Sequence, residues 1–131
     1  MTVHTPLVTG VDFAILPSTD IERSIEFYEG TLGLVAGMRY GEAPIGAEFE
    51  TGNLTLAAFD FAAVGMEAPE ANSGPIAFRV DDVEAARAEL QSRGVEFTGD
   101  IVDSGECHQA YFADPDGNKL ILHHRYAPRP D

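Results

Sequence analysis

The chain has 131 residues, 44% hydrophobic and 23% charged, which is the composition of an ordinary globular domain. Its 22 acidic and 8 basic residues give a net charge of -14, which disfavours binding to nucleic acid or to an anionic membrane. The single cysteine excludes an internal disulfide, and no segment approaches the roughly 20 apolar residues of a membrane span. We therefore expect one soluble, cytoplasmic domain.

The first half of the sequence predicts a strand, a helix and three more strands. "VDFAIL" (11–16) is a short apolar run suited to a buried strand. In the following stretch, Ile21, Ile25 and Tyr28 recur at helical spacing, and Thr19 with Glu22 forms the pattern of a capping box. Strand patterns then follow in "LVAGMRY" (34–40), "GAEFETG" (46–52) and "NLTLAAF" (53–59).

The second half repeats this order. "GPIAFRV" (74–80) predicts a strand and "DDVEAARAELQSRG" (81–94) a helix, in which Asp81 and Glu84 stand 62 residues after Thr19 and Glu22. Three strands are predicted at "VEFTG" (95–99), "CHQAYFA" (107–113) and "KLILHHR" (119–125), the last two joined by a Pro-Asp-Gly turn. The fold class is thus α+β, with two βαβββ modules forming an open, curved sheet, or cup, with helices outside. We expect a single domain over 1–131, with modules at about 7–61 and 74–126 and a connector at about 62–73.

This repeat resembles the vicinal oxygen chelate superfamily, which comprises glyoxalases, bleomycin resistance proteins and extradiol dioxygenases. The matching stretches are "TDIERSIEFYEGTLGL", "IAFRVDDVEAARAEL", "RGV" and "FADPDGNKLIL", and together they cover most of the chain. The resemblance implies paired βαβββ modules, a homodimer, and a small-molecule site in the cup lined by the concave sheet face.

Enzymes of this superfamily usually hold a divalent metal in that cup, on the first and last strands of each module. Carried over by position, the resemblance places the ligands at Phe13, at Leu56 or Ala57, at Pro75 and at Ile121. None of these side chains has an oxygen or nitrogen donor, and divalent metals need three or four such ligands from a protein. We therefore predict no metal, no cofactor and no catalytic residue.

The adjacent histidines His123 and His124 suggest a metal site at first sight. Successive strand residues point to opposite faces, so His123 is expected to share the cup face with Ile121, whereas His124 is expected to face away from it. Two histidines so placed do not chelate one ion, and His4 and His108 are poorly placed to help.

The predicted cup lining combines apolar side chains with a few polar groups, which is the usual composition of a ligand pocket. The resemblance places Tyr111 and Ile121 in the cup, and strand alternation adds their neighbours. The predicted ligand-binding residues are Phe13, Ile15, Arg79, Cys107, Gln109, Tyr111, Ile121 and His123.

Each of these residues also has a purely structural interpretation. Phe13 and Ile121 could fill a collapsed core, Cys107 could be an inert small hydrophobe, and Arg79 could pair with a surface carboxylate. A histidine at position 123 could be a general base, a hydrogen-bond partner for a ligand or a structural residue.

Three functions are compatible with this pattern. We favour a metal-free protein that sequesters an antibiotic or another amphipathic molecule, cationic or polycyclic, in the cup. The alternative is a metal-dependent lyase, isomerase, dioxygenase or thiol transferase of the same superfamily. A third interpretation is a homodimer with a filled cup that acts through protein contacts.

Overall fold

The computed structural model describes residues 7–72 and 74–129 and confirms the predicted fold class. Each half of the chain forms a four-stranded mixed sheet with one helix, so the two βαβββ modules are present as expected. In the first module the strands are β1 (Phe13–Pro17), β2 (Val35–Tyr40), β3 (Gly46–Glu50) and β4 (Thr55–Phe59). In the second module they are β5 (Ile76–Arg79), β6 (Thr98–Asp103), β7 (Cys107–Ala113) and β8 (Lys119–Arg125).

The two sheets have the same topology. Their strand orders are β1-β4-β3-β2 and β5-β8-β7-β6. The first strand of each module, β1 or β5, is parallel to its neighbour, and the other pairs are antiparallel. Helix α1 (Ile21–Ile25) continues into a π-helical turn over Glu26–Thr31, and α2 spans Val83–Ser92. A short 3-10 turn at Ala62–Val64 opens the connector.

Both helices begin one residue later than the capping-box pattern suggests. The side chain of Asp20, rather than Thr19, accepts a hydrogen bond from the Arg23 amide at 3.1 Å, and Asp82 accepts one from Ala85 at 3.0 Å. Thr19 instead donates hydrogen bonds from its amide and its hydroxyl to Asp116 of the other module. A local sequence pattern cannot reveal this long-range contact.

Strand β6 also differs from the prediction. The structure places it at Thr98–Asp103, so that it begins three residues later than the strand predicted at 95–99. Val95 and Phe97 pack against the core from a loop, and a register shift between Thr98 and Val102 marks a bulge. Because β6 is an edge strand, it tolerates the acidic residues and glycine that argue against a strand in the sequence.

One hydrophobic core joins the two modules. It is built from the same face of each sheet together with the helices. The fully or nearly fully buried members are Leu16, Ala47, Phe49, Leu56 and Ala58 of the first sheet, Ala110, Phe112, Leu120 and Leu122 of the second, and Ile21, Tyr28, Val83 and Leu90 of the helices. The opposite face of each sheet therefore points away from this core, and we call it the site face.

Candidate functional site

The site face of the first sheet is largely apolar and uncovered. Phe13 and Ile15 of β1 lie on it, with 54% and 47% of their surface exposed, and Val35 of β2 is 67% exposed. Strand pairing sets Phe13 beside Thr55 and Ile15 beside Ala57, so these side chains share one face. Phe13 therefore does not fill the core of a single chain.

Two carboxylates on the same face were missed by the sequence analysis. Glu48 pairs with Ala57 and Glu50 with Thr55 on β4, so both glutamates share a face with the apolar β1 residues and lie two strands from them. Tyr40 donates a hydrogen bond from its hydroxyl to Glu48, and this bond is the main reason why the pKa of Tyr40 is raised. The alternation of Ala47 and Phe49 with the glutamates in "GAEFE" is the signal that could have assigned them to this face.

The site face of the second sheet brings six predicted residues together. In register across the sheet, Arg79 lies beside His123 and His123 beside Gln109, while Ile121 lies beside Tyr111. The Tyr111 hydroxyl donates to the Gln109 side-chain oxygen at 2.8 Å. Phe13 and Ile15 belong to the other sheet, so the eight predicted residues form two groups.

Two members of the second group have surroundings that the sequence did not indicate. Cys107 lies beside Arg125 on β8, although no cation precedes or follows it closely in the sequence. The Arg125 guanidinium is engaged by Glu106 at 3.3 Å and by the Pro128 carbonyl at 3.2 Å. Ile121 is only 7% exposed, so it forms the floor of this face rather than an open surface.

The residues at the family's metal positions do not fit a divalent ion. Pairing with Ile15 assigns the fourth position to Ala57, because Leu56 points into the core. Phe13, Ala57, Pro75 and Ile121 offer only carbon atoms. Over residues 7–72 and 74–129, no three His, Cys, Asp or Glu side chains come together as they would around a metal ion.

The separation of the two histidines follows the strand alternation. His123 pairs with Gln109 on the site face, whereas His124 pairs with His108 on the opposite face. His108 in turn lies 3.3 Å from Asp103, whose pKa is lowered chiefly by a hydrogen bond from the Tyr126 hydroxyl. His4 lies outside the described residues.

Comparison with known proteins places this architecture in a family. The model of the Glyoxalase/Bleomycin resistance protein/Dioxygenase superfamily matches residues 10–122, and the chain belongs to this superfamily. No curated protein sequence matches the chain. Among the described residues, no helix has both the length and the apolar character needed to cross a membrane.

Several solved structures share the fold. A glyoxalase/bleomycin resistance protein/dioxygenase from Nocardioides is 28% identical, with a TM-score of 0.73 over 99% of this chain and 91% of that one. TnmS3, an antibiotic binding protein from Streptomyces sp. CB03234, is 26% identical, with a TM-score of 0.75 over 92% and 99%. A superfamily member from Sphaerobacter thermophilus, 23% identical with a TM-score of 0.75 over 90% and 98%, supports the fold alone.

Proposed function

We propose that this chain is a metal-free protein that binds and sequesters a small amphipathic molecule, such as an antibiotic, on its site faces. The observation that carries the proposal is the carbon-only set of side chains at Phe13, Ala57, Pro75 and Ile121. Because these positions have no donor atoms, the site faces bind a ligand through apolar contacts and complementary shape rather than through a coordinated metal.

The surrounding groups favour a cationic ligand with a flat apolar body. Phe13 and Ile15 offer an exposed apolar surface, and Glu48 and Glu50 both lie on β3, two strands away on the same sheet. The net charge of -14 would also raise the local concentration of cations. The similarity to an antibiotic binding protein from Streptomyces supports an antibiotic as the ligand.

We further propose that the functional unit is a homodimer. Both site faces point away from the chain's own core, and the apolar residues of the first are about half exposed. In such a dimer, the site face of the first sheet of one protomer lies against the site face of the second sheet of the other. Phe13 and Ile15 would then meet Gln109, Tyr111 and His123 across the interface and enclose the ligand.

Calorimetric titration with a panel of cationic polycyclic antibiotics tests this function. We expect saturable binding of at least one compound, and we expect Glu48→Gln to weaken it because the carboxylate no longer opposes the ligand's charge. Glu96→Gln, in a loop outside the site faces, is the matched control and should bind as the unaltered protein does. Absence of heat with every compound would contradict the proposal.

A further inference from the structure

Three polar side chains form a row across the site face of the second sheet, which we call the polar row. Strand pairing sets Arg79 of β5 beside His123 of β8, and His123 beside Gln109 of β7. Adjacent strands lie about 4.8 Å apart, so neighbouring members of the row can reach the same small group. Arg79 is exposed and the other two are partly buried, so the row is open to solvent at its β5 end.

The polar row carries hydrogen-bond donors that the described part of the chain does not use. Among residues 7–72 and 74–129, the side chains of Arg79 and His123 make no hydrogen bond and no salt bridge. The side-chain oxygen of Gln109 accepts from the Tyr111 hydroxyl at 2.8 Å, which leaves the amide NH2 group to donate elsewhere. All three members can therefore donate to a molecule that lies on this face.

An arginine without a carboxylate partner is unexpected in so acidic a chain. Acidic residues outnumber basic ones by 22 to 8, and four other arginines each contact a carboxylate, namely Arg23, Arg39, Arg93 and Arg125. Strands β5, β7 and β8 contain no aspartate or glutamate, and β6, which contains Asp100 and Asp103, is three strands from β5. The strands that carry the polar row thus supply no counter-ion for it.

The surroundings of the polar row favour a carboxylate attached to a flat apolar body. The planar guanidinium of Arg79 matches the two oxygens of a carboxylate. Ile121 forms the floor beside the row, and its partner Tyr111 adds an aromatic surface. The net charge of -14 disfavours ligands with several negative charges, such as phosphates, whereas one arginine can offset a single negative charge.

We propose that the polar row is an acid-binding subsite for an aromatic or polycyclic carboxylic acid. Arg79 binds the carboxylate, His123 and Gln109 donate to its oxygens, and the rings lie on Ile121 and Tyr111. This inference rests on the proposed function and deepens it, because it names a second charged group on the sequestered molecule. That molecule is amphoteric: its acid binds the second sheet, and its cationic group binds the glutamates of the first.

Titration with 1-naphthoate and its neutral analogue 1-naphthamide tests the subsite. We expect naphthoate to bind more tightly than naphthamide, although the net charge of the protein opposes an anion. NMR should show naphthoate shifting the ring signals of His123 and the methyl signals of Ile121. Arg79→Gln should weaken naphthoate about fivefold, as expected for one exposed ion pair, and leave naphthamide unchanged. Arg79→Lys keeps the charge but not the planar fork, so it should retain only part of the preference.

Arg87→Gln is the matched control, because it removes the same charge elsewhere. Arg87 lies on α2, with its guanidinium carbon 5.2 Å from the centre of the Phe97 ring, outside the site faces. This variant should bind naphthoate as the unaltered protein does. Glu48→Gln separates the subsite from the proposed function, since it should weaken a cationic antibiotic without weakening naphthoate.

Three results would overturn the subsite. They are that naphthoate does not bind, that it binds no better than naphthamide, or that Arg79→Gln weakens it no more than Arg87→Gln does. Any of these together with saturable binding of a cationic antibiotic would refute the subsite alone. Arg79-dependent binding of naphthoate without binding of any antibiotic would refute the proposed function and leave the subsite standing.

Discussion

The hydroxyl of Tyr28 donates to the carboxylate of Asp114 at 2.6 Å, a buried contact between residues 86 apart in the sequence. Tyr28 belongs to the π-helical turn of the first module and Asp114 to the β7–β8 turn of the second. Burial and the neighbouring carboxylate both raise the pKa of Tyr28, so the phenol stays protonated and remains a donor. This contact ties the two modules together.

We predict that Tyr28→Phe lowers the free energy of unfolding by about 1–3 kcal/mol, because a buried carboxylate oxygen loses a donor while the ring packing is kept. Tyr126→Phe is the matched control: that hydroxyl also donates to an aspartate, Asp103, at 2.7 Å, but it is exposed. Its removal should change stability by well under about 1 kcal/mol. Urea unfolding of both variants measures the difference, and equal losses would argue against a special role for the module contact.

Asp116 should make stability depend on pH in the acid range. Burial alone would raise its pKa, but hydrogen bonds from the Thr19 amide and hydroxyl, at 2.9 and 2.8 Å, and the nearby Arg23 lower it overall. A lowered folded-state pKa stabilises the protein above the unfolded value of 3.8, and this stabilisation is lost as the pH falls through the folded-state pKa.

Asp116→Asn should therefore be less stable than the unaltered protein at pH 7, by about 1–2 kcal/mol. The gap should begin to shrink below about pH 4, where the unfolded chain starts to bind a proton at Asp116. It should close once the pH has fallen below the folded-state pKa of Asp116, since both side chains are then neutral. Thermal unfolding between pH 2.5 and 7 measures this, with Asp81→Asn, at an exposed position before α2, as the control. A gap that stays constant with pH would show that the charge of Asp116 is not responsible.

A charged substitution at Ile15 tests the proposed homodimer. We predict that Ile15→Glu converts a dimer to a monomer in sedimentation velocity, because a charge would be buried in the covered site face. Its fold should persist, since the side chain is about half exposed in the single chain. Val64→Glu, an exposed apolar position in the 3-10 turn outside both site faces, should leave the dimer intact. A monomeric unaltered protein, or a dimeric Ile15→Glu, would contradict the arrangement.

Local patterns in the sequence were enough to predict most of the fold. Alternation located β7 and β8 at their observed bounds, and the predicted helix at 81–94 contains the observed α2 at Val83–Ser92. Strand β6 was misplaced because an edge strand needs little apolar character. The helix caps lie one residue after the predicted positions, at Asp20 and Asp82, and Thr19 contacts Asp116 of the other module instead.

The residues that share a face of the candidate site were predictable only where strand alternation and the family resemblance were used together. They placed the six residues from Arg79 to His123 on one face, as strand pairing shows. Strand patterns do not indicate whether the two modules share one continuous sheet, so the separation of Phe13 and Ile15 from the other six residues is apparent only in the structure.

The most direct test of metal-free binding is a titration of the protein, purified without chelators or a metal-binding tag, with the antibiotic panel in the presence and absence of excess EDTA. We predict that any compound that binds does so with the same affinity in both conditions, and that Phe13→Ala weakens it in both. Binding that disappears in EDTA and returns with zinc, nickel, manganese or iron would contradict the account.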